Sequence, residues 1–112
     1  MISIDIIIDE AGVLRSCNAA GHAGAGKSGA DIVCAAVSVL MRTTVRVLSG
    51  RKGISIQSAA PEPGALHLET EYAAEGRGFL AAAGEFLIAG LASVAEEFPE
   101  NCRVTIVTER RN

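Results

Sequence analysis

The chain opens with a regular alternation of apolar and polar residues. Four isoleucines occupy every second position: Ile2, Ile4, Ile6 and Ile8. A period of two is typical of a β-strand with one buried face. Residues 10–12, Glu-Ala-Gly, form a turn signal, and Gly12 can take a positive φ. Residues 13–20 are then predicted to return as a second strand, so the chain begins with a β-hairpin.

From about Asp31 the apolar residues recur at three- and four-residue spacing, which is typical of a helix. They fall on one stripe, which comprises Val33, Val37, Leu40, Met41, Thr44, Val45 and Leu48. Gly50 follows the stripe and is a natural C-terminal cap. A second helix is predicted over residues 79–98, where Pro99 ends it. Each helix should therefore bury one face against the rest of the protein.

Strand-like segments flank the second helix. They are residues 54–60, residues 66–72 and Cys102–Thr108, with a turn signal at residues 61–64 between the first two. The order ββαββαβ predicts an α+β fold in which two helices pack on one face of a largely antiparallel sheet. A length of 112 residues fits a single domain spanning residues 1–112.

Composition and charge narrow the function classes. The net charge of −3 argues against nucleic acid as a partner, because nucleic-acid binders are usually basic. No segment is expected to be long and apolar enough to cross a membrane, so we expect a cytoplasmic protein with no membrane partner. The three cysteines, an odd number at irregular spacing, suit free thiols in a reducing compartment. Neither they nor the two histidines have the paired spacing of a metal site, so no metal or other cofactor is expected.

One short segment matches a phosphate-binding motif. Residues 21–28, Gly-His-Ala-Gly-Ala-Gly-Lys-Ser, fit the Walker A pattern, in which Lys27 would reach the phosphates and Ser28 would bind Mg²⁺. Such a loop normally follows a buried parallel strand, whereas residues 13–20 are predicted to be the second arm of a hairpin. A P-loop-like nucleotide-binding module using residues 21–28 therefore stays as an alternative to the chemistry described next.

The same region contains the elements of a cysteine nucleophile. Ser28 and Asp31 fit a helix-capping pattern, and Asp31 could itself be the N-cap. Either choice places Cys34 in the first two helical turns, near backbone N–H groups that favour a thiolate. His22 is a candidate base for the thiol proton. Ser38 lies on the same side of the helix as Cys34. By composition alone, a small buried core residue is the favoured interpretation of Cys34.

A family resemblance decides between these interpretations. The segment Gly21-His22-Ala23, followed after a short gap by residues 29–38, Gly-Ala-Asp-Ile-Val-Cys-Ala-Ala-Val-Ser, resembles the signature of the ribosomal-processing cysteine proteases. The resemblance extends to the length and element order of the whole chain. It implies a Cys/His endopeptidase that removes the N-terminal extension of a large-subunit ribosomal protein, and it implies a homodimer. A non-enzymatic ribosome-associated protein is the remaining alternative.

The resemblance also assigns roles to individual positions. It implies that Cys34 is the nucleophile, that His22 is the general base, and that Asp31 and Ser38 support the site. Gly21 and Gly29 would flank a mobile loop between His22 and the helix. Lys27 and Ser28 fall in the variable gap of the family signature, which makes the Walker A match an accident of loop sequence.

Overall fold

The computed structural model describes residues 1–21, 28–62 and 64–110, and only the backbone of residues 28–31. The predicted order of elements is confirmed. The strands are β1 (Ile2–Ile8), β2 (Leu14–Ala20), β3 (Ile54–Ala59), β4 (Ala65–Tyr72) and β5 (Cys102–Thr108). The helices are α1 (Ser28–Leu48) and α2 (Arg77–Glu97), and a 3₁₀ turn at Ala74–Gly76 precedes α2.

The five strands form one sheet in the order β3-β4-β2-β1-β5. All neighbouring strands are antiparallel except β1 and β5, which run parallel. The β1–β2 hairpin closes at Gly12, whose φ of 81° confirms the expected positive value. Strands β3 and β5 are the two edges. The predicted α+β fold with a largely antiparallel sheet is therefore confirmed.

The core lies between the sheet and the two helices. It is aliphatic, as the low aromatic content requires, and its fully buried members include Ile4, Ile6, Leu14, Val33, Leu68, Leu87 and Leu91. The alternating isoleucines of β1 supply the sheet side, and the predicted stripe of α1 supplies the helix side. Thr44 is buried within that stripe because its hydroxyl donates to the carbonyl oxygen of Leu40, 2.8 Å away.

Two details of the helices differ from the prediction. Helix α1 begins at Ser28, three residues before the change in periodicity, so Asp31 lies in the first turn and is not the N-cap. In α2, Phe79 is 36% exposed although the helix is predicted to bury an apolar face, and the Arg51 guanidinium lies 3.7 Å from the centre of its ring. A cation over an aromatic face stabilises a ring that the core does not enclose.

The expectation that no segment is long and apolar enough to cross a membrane is wrong. Residues 74–97 meet both criteria, with a mean hydropathy of 1.7 over their most apolar window. Length and composition of one helix are weak indications, since helices of soluble proteins often share them. In this fold Leu80, Leu87 and Leu91 on that helix pack against the core, although only 22% of the window is buried.

Glycines let α2 approach its neighbours closely. A Cβ atom on Gly84 would lie 2.7 Å from the Cβ of Leu14 on β2, and one on Gly90 would lie 2.9 Å from a methyl group of Leu40 on α1. The interior glycines, which weaken the helix by about 1 kcal/mol each relative to alanine, are thus explained by packing.

We predict opposite effects for two glycine-to-alanine substitutions in α2. Gly78→Ala should raise the free energy of unfolding by about 0.5–1 kcal/mol, because its Cβ meets nothing within 4 Å. Gly84→Ala should lower it by about 1–3 kcal/mol, because the contact with Leu14 outweighs the gain in helix propensity. Chemical denaturation of both variants checks this, and equal stability of the two would contradict the packing explanation.

Candidate active site

The three cysteines have very different surroundings. Cys17 on β2 and Cys102 on β5 are buried, whereas Cys34 on α1 is exposed. Burial raises the pKa of the Cys17 thiol to about 12, with a smaller contribution from the Asp5 carboxylate, and burial also raises the pKa of Cys102. Because the thiolate is the reactive form, Cys17 and Cys102 are unsuited to nucleophilic chemistry. Both residues lie in strands and pack in the core.

Cys34 faces a groove of about 470 Å³. Helix α1 forms one wall, and the turn that joins β3 to β4 forms the other. The ends of β1 and β2 contribute Ile2 and Ala19 to the lining, and the second wall includes Ala60, Glu62 and Leu66. The thiol is therefore accessible to a ligand that lies between the helix and the sheet, and the interpretation of Cys34 as a buried core residue is wrong.

Helix α1 contributes a line of side chains to this groove. Ser38 and Arg42 line it together with Cys34, at a spacing of four residues. Residues four apart stack on one face of a helix, about 6 Å apart along the axis. The predicted placement of Ser38 beside Cys34 therefore agrees with the structure.

Gly21 also lines the groove, at the end of β2. Its φ is 126°, and a Cβ atom there would lie 2.2 Å from the carbonyl oxygen of Met1. Only glycine fits this position, because any side chain would collide with the backbone at the start of β1. Gly29 lies in the first turn of α1. His22, the rest of the predicted loop and the side chain of Asp31 lie outside the described residues.

Because α1 begins at Ser28 and not near Asp31, its first turn lies farther from the Cys34 thiol than the sequence predicts. Cys34 is the seventh residue of α1, and the N–H groups without helical acceptors belong to residues 28–31. At a rise of about 1.5 Å per residue, these groups lie roughly 4.5–9 Å before Cys34 along the axis. The dipole of the first turn weakens over that distance, so a neighbouring base becomes more important for activating the thiol.

Two charged residues of the groove were missed by the sequence interpretation. Arg42 follows Cys34 by eight residues on the same helical face, and this spacing was sufficient to find it. Glu62 lies in the β3–β4 turn, and no local pattern connects that turn with α1. Only the tertiary fold brings the two residues to one cavity.

A second cavity, of about 410 Å³, lies at the opposite end of the sheet. There the Asp9 carboxylate accepts hydrogen bonds from the Tyr72 hydroxyl and from the backbone N–H groups of Ala11 and Val13. Partial burial alone would raise the pKa of Asp9, but these hydrogen bonds hold it below its usual value. The polar groups are satisfied by one another and close the β1–β2 hairpin. In the part of the chain that the structure describes, no cluster of three His, Cys, Asp or Glu could hold a metal.

The strand before the Walker A match is antiparallel to both of its neighbours. Strand β2 pairs with β1 on one side and β4 on the other, and both pairings are antiparallel. A P-loop normally follows a buried parallel strand. The prediction that the Walker A match follows an antiparallel hairpin strand is therefore confirmed. Residues 22–27 of the match lie outside the described residues.

One family model and several solved structures match this chain. The family described as cysteine protease Prp matches residues 1–103. Among solved structures, SMU.848 from Streptococcus mutans is 30% identical, with a TM-score of 0.75 over 97% of this chain and 96% of that one. The essential ribosomal processing protease Prp from S. aureus, in complex with a substrate peptide, is 23% identical, with a TM-score of 0.80 over 96% of this chain and 100% of that one. The same S. aureus protease with a covalently linked product peptide is 25% identical, with a TM-score of 0.78 and the same coverage. No curated protein sequence matches this chain.

The burial of the cysteines predicts selective alkylation. Iodoacetamide at pH 8 should modify Cys34 in the folded protein at least about a hundredfold faster than Cys17 or Cys102, since reaction of the buried thiols requires local unfolding. A pKa of about 12 also leaves roughly one Cys17 thiol in ten thousand ionised at that pH. Peptide mass spectrometry of timed samples measures the rates. Modification of Cys17 as fast as Cys34 would contradict the assignment.

Proposed function

The chain belongs to the cysteine protease Prp family, and on that premise we propose that it is an endopeptidase that removes the N-terminal extension of a large-subunit ribosomal protein. The observation that carries the proposal is the position of Cys34, the one cysteine that is exposed and that faces a groove. The proposed reaction needs only the Cys34 thiol and a base, so no cofactor is part of the proposal. A ribosomal substrate also supports our expectation of a cytoplasmic protein.

The proposed reaction proceeds through an acyl-enzyme. His22 takes the proton of the Cys34 thiol, and the sulfur attacks the carbonyl carbon of the scissile peptide bond. The tetrahedral intermediate collapses as the carbon–nitrogen bond breaks, and His22 gives its proton to the departing amine. Water, deprotonated by His22, then attacks the thioester, and the carboxylic acid product leaves with Cys34 restored as a thiol.

Supporting roles are proposed for Asp31 and Ser38. The position of Ser38 on the groove-facing side of α1, one turn beyond Cys34, supports a contact with the bound peptide. The family signature supports a role for Asp31 in the site, and it places Gly21 and Gly29 on either side of the segment that contains His22.

The shape of the groove supports a peptide as substrate. Much of its lining is aliphatic, from Ile2, Ala19, Val37 and Leu66. An apolar groove suits an extended segment with hydrophobic side chains. The related S. aureus protease is described in complex with a substrate peptide. We propose that the N-terminal extension of the ribosomal protein supplies such a segment.

We predict that the isolated protein shortens the N-terminally extended ribosomal protein of its own organism. Cys34→Ala should reduce the rate by at least about a thousandfold, and His22→Ala by about 10²–10⁴-fold, since each removes one partner of the proposed pair. Intact mass spectrometry of timed mixtures measures the shortening.

Lys27→Ala is the matched control for this experiment. It changes the lysine of the Walker A match, two loop positions before Gly29, and should cleave at the wild-type rate. Shortening by Cys34→Ala at the wild-type rate would overturn the proposed nucleophile. If Lys27→Ala alone is inactive and ATP raises the melting temperature of the wild type, the nucleotide-binding alternative is favoured.

A homodimer is part of the proposal, and the exposed apolar surface of the helices supports it. The large apolar side chains that the helices leave in solvent include Phe86, which is 74% exposed, and Ile32, Val39 and Val47. Contiguous exposed apolar patches usually mark interfaces, and these four residues lie on two helices that pack against each other. A second copy covering them would also explain why an apolar helix such as α2 is only partly buried within one chain.

We expect Phe86→Asp to convert the dimer into a monomer, because a carboxylate in an apolar interface is desolvated without a partner. Light scattering coupled to size-exclusion chromatography measures the mass in solution. Glu85→Gln, at the neighbouring exposed position, is the control and should leave the dimer intact. A wild-type protein that is monomeric at micromolar concentration would refute the proposed homodimer.

A further inference from the structure

The groove that contains Cys34 continues along α1 into a second recess. This recess has a volume of about 270 Å³, and Arg42, Ala60 and Leu66 line both cavities. Beyond Arg42 the lining is largely apolar and includes Met41 and Val45. The two cavities therefore form one elongated depression between α1 and the β3–β4 hairpin, with Cys34 near one end and the apolar recess at the other.

Opposite charges stand on the two walls of this depression. Arg42 extends from α1, and Glu62 lies on the β3–β4 turn. Both residues are exposed, and in the described part of the chain neither forms an ion pair or a side-chain hydrogen bond. An arginine side chain only donates hydrogen bonds, and an ionised glutamate only accepts them. One wall thus offers donors and the other offers acceptors, and no described residue of the fold pairs with either.

We propose that Arg42 and Glu62 hold the main chain of the substrate peptide, Arg42 by donating to a carbonyl oxygen and Glu62 by accepting from an N–H group. This inference rests on the proposed protease function. An extended peptide presents carbonyl and N–H groups on both of its edges. A peptide lying between a donor wall and an acceptor wall therefore satisfies groups on both edges at once.

Helix geometry sets how far from the cleaved bond the contact occurs. Arg42 follows Cys34 by eight residues, or about 12 Å along the axis of α1. An extended peptide advances about 3.3 Å per residue. The carbonyl group that Arg42 contacts is therefore about three or four residues from the bond that Cys34 attacks, and the apolar recess receives a side chain just beyond it.

The charges of the groove favour a main-chain contact over recognition of an acidic side chain. A substrate carboxylate near Arg42 would share the cavity with the Glu62 carboxylate, and like charges in one cavity repel. A peptide carbonyl carries no net charge and meets no such repulsion. Arg42 and Glu62 together are a neutral pair, which suits the neutral main chain of any sequence.

Binding of a labelled peptide to a Cys34→Ala background tests the proposal independently of cleavage. The probe is a 15-residue synthetic peptide that spans the cleaved bond of the extended ribosomal protein, and fluorescence anisotropy measures its Kd. Arg42→Ala should weaken binding about tenfold, the loss expected when a charged hydrogen-bond donor is removed. Arg42→Lys should restore part of the loss, and Glu62→Gln should weaken binding less than Arg42→Ala. Arg46→Ala, one turn later on α1 and outside both cavities, should have no effect.

Peptide truncation locates the contact. The peptide is shortened one residue at a time from each end. At one end, removal of the third or fourth residue from the cleaved bond should weaken binding about tenfold. The same truncation should have little effect in the Arg42→Ala variant, because the contact is already absent. In the active enzyme, Arg42→Ala should raise KM and leave kcat nearly unchanged.

Each outcome tests either the main-chain contact or the proposed protease function. Unchanged binding by Arg42→Ala, or equal truncation losses with and without Arg42, would overturn the main-chain contact while leaving the protease function intact. A strong preference for peptides with an acidic residue three or four positions from the cleaved bond, lost in Arg42→Ala, would overturn it in favour of side-chain recognition. If the wild type binds the peptide through Arg42 but never cleaves it, the contact stands and the protease function fails.

Discussion

The burial of one stripe of α1 against the sheet determines the site. Val33, Val37 and Met41 are buried at four-residue spacing and pack into the core with the isoleucines of β1. Successive residues of a helix are rotated by about 100°, so the residue after each buried one lies beside the stripe. Those three residues are Cys34, Ser38 and Arg42. Any rotation of α1 that moved the thiol out of the groove would expose three apolar side chains, at about 1.5–3 kcal/mol for each one fully exposed. The core therefore positions the candidate nucleophile without any polar contact to it.

Much of this arrangement follows from the sequence because it is local and periodic. The spacing of apolar residues sets both helices and all five strands, and the four-residue interval between Cys34 and Ser38 places them on one face. Contacts between residues far apart in the sequence cannot be predicted from local spacing. Phe79 has helical spacing but lies beside Arg51 from the α1–β3 connection, and Glu62 faces α1 only because β3 and β4 complete the sheet on that side. The exposure of Phe86 on α2 is likewise not a local property, because it depends on which face of the helix packs against α1 and the sheet.

The choice of Cys34 over the other two cysteines shows the same limit. In the sequence Cys34 lies in an apolar run, whereas Cys17 and Cys102 have polar neighbours, so local composition favours burial of the one cysteine that the fold exposes. Strand pairing buries Cys17 between neighbours on both sides, and Cys102 lies at the start of β5 beside Ile2. Cys34 escapes burial because it is one residue past the buried stripe. Family resemblance identified it before the geometry did, and the geometry now supplies a physical reason for the choice.

The charged residues at the two ends of the sheet differ in whether other residues of the fold pair with them. At the hairpin end, Asp9 accepts three hydrogen bonds and Arg15 binds the carbonyl oxygen of Thr70 and pairs with Glu109, so these groups are engaged by the fold. In the groove, Arg42 and Glu62 are left without partners among the described residues. Charges that the fold satisfies stabilise it, whereas solvated charges on facing walls keep their hydrogen-bonding capacity for a ligand. This asymmetry, together with the thiol beside it, is why we place substrate binding at the groove and assign the hairpin end to structure.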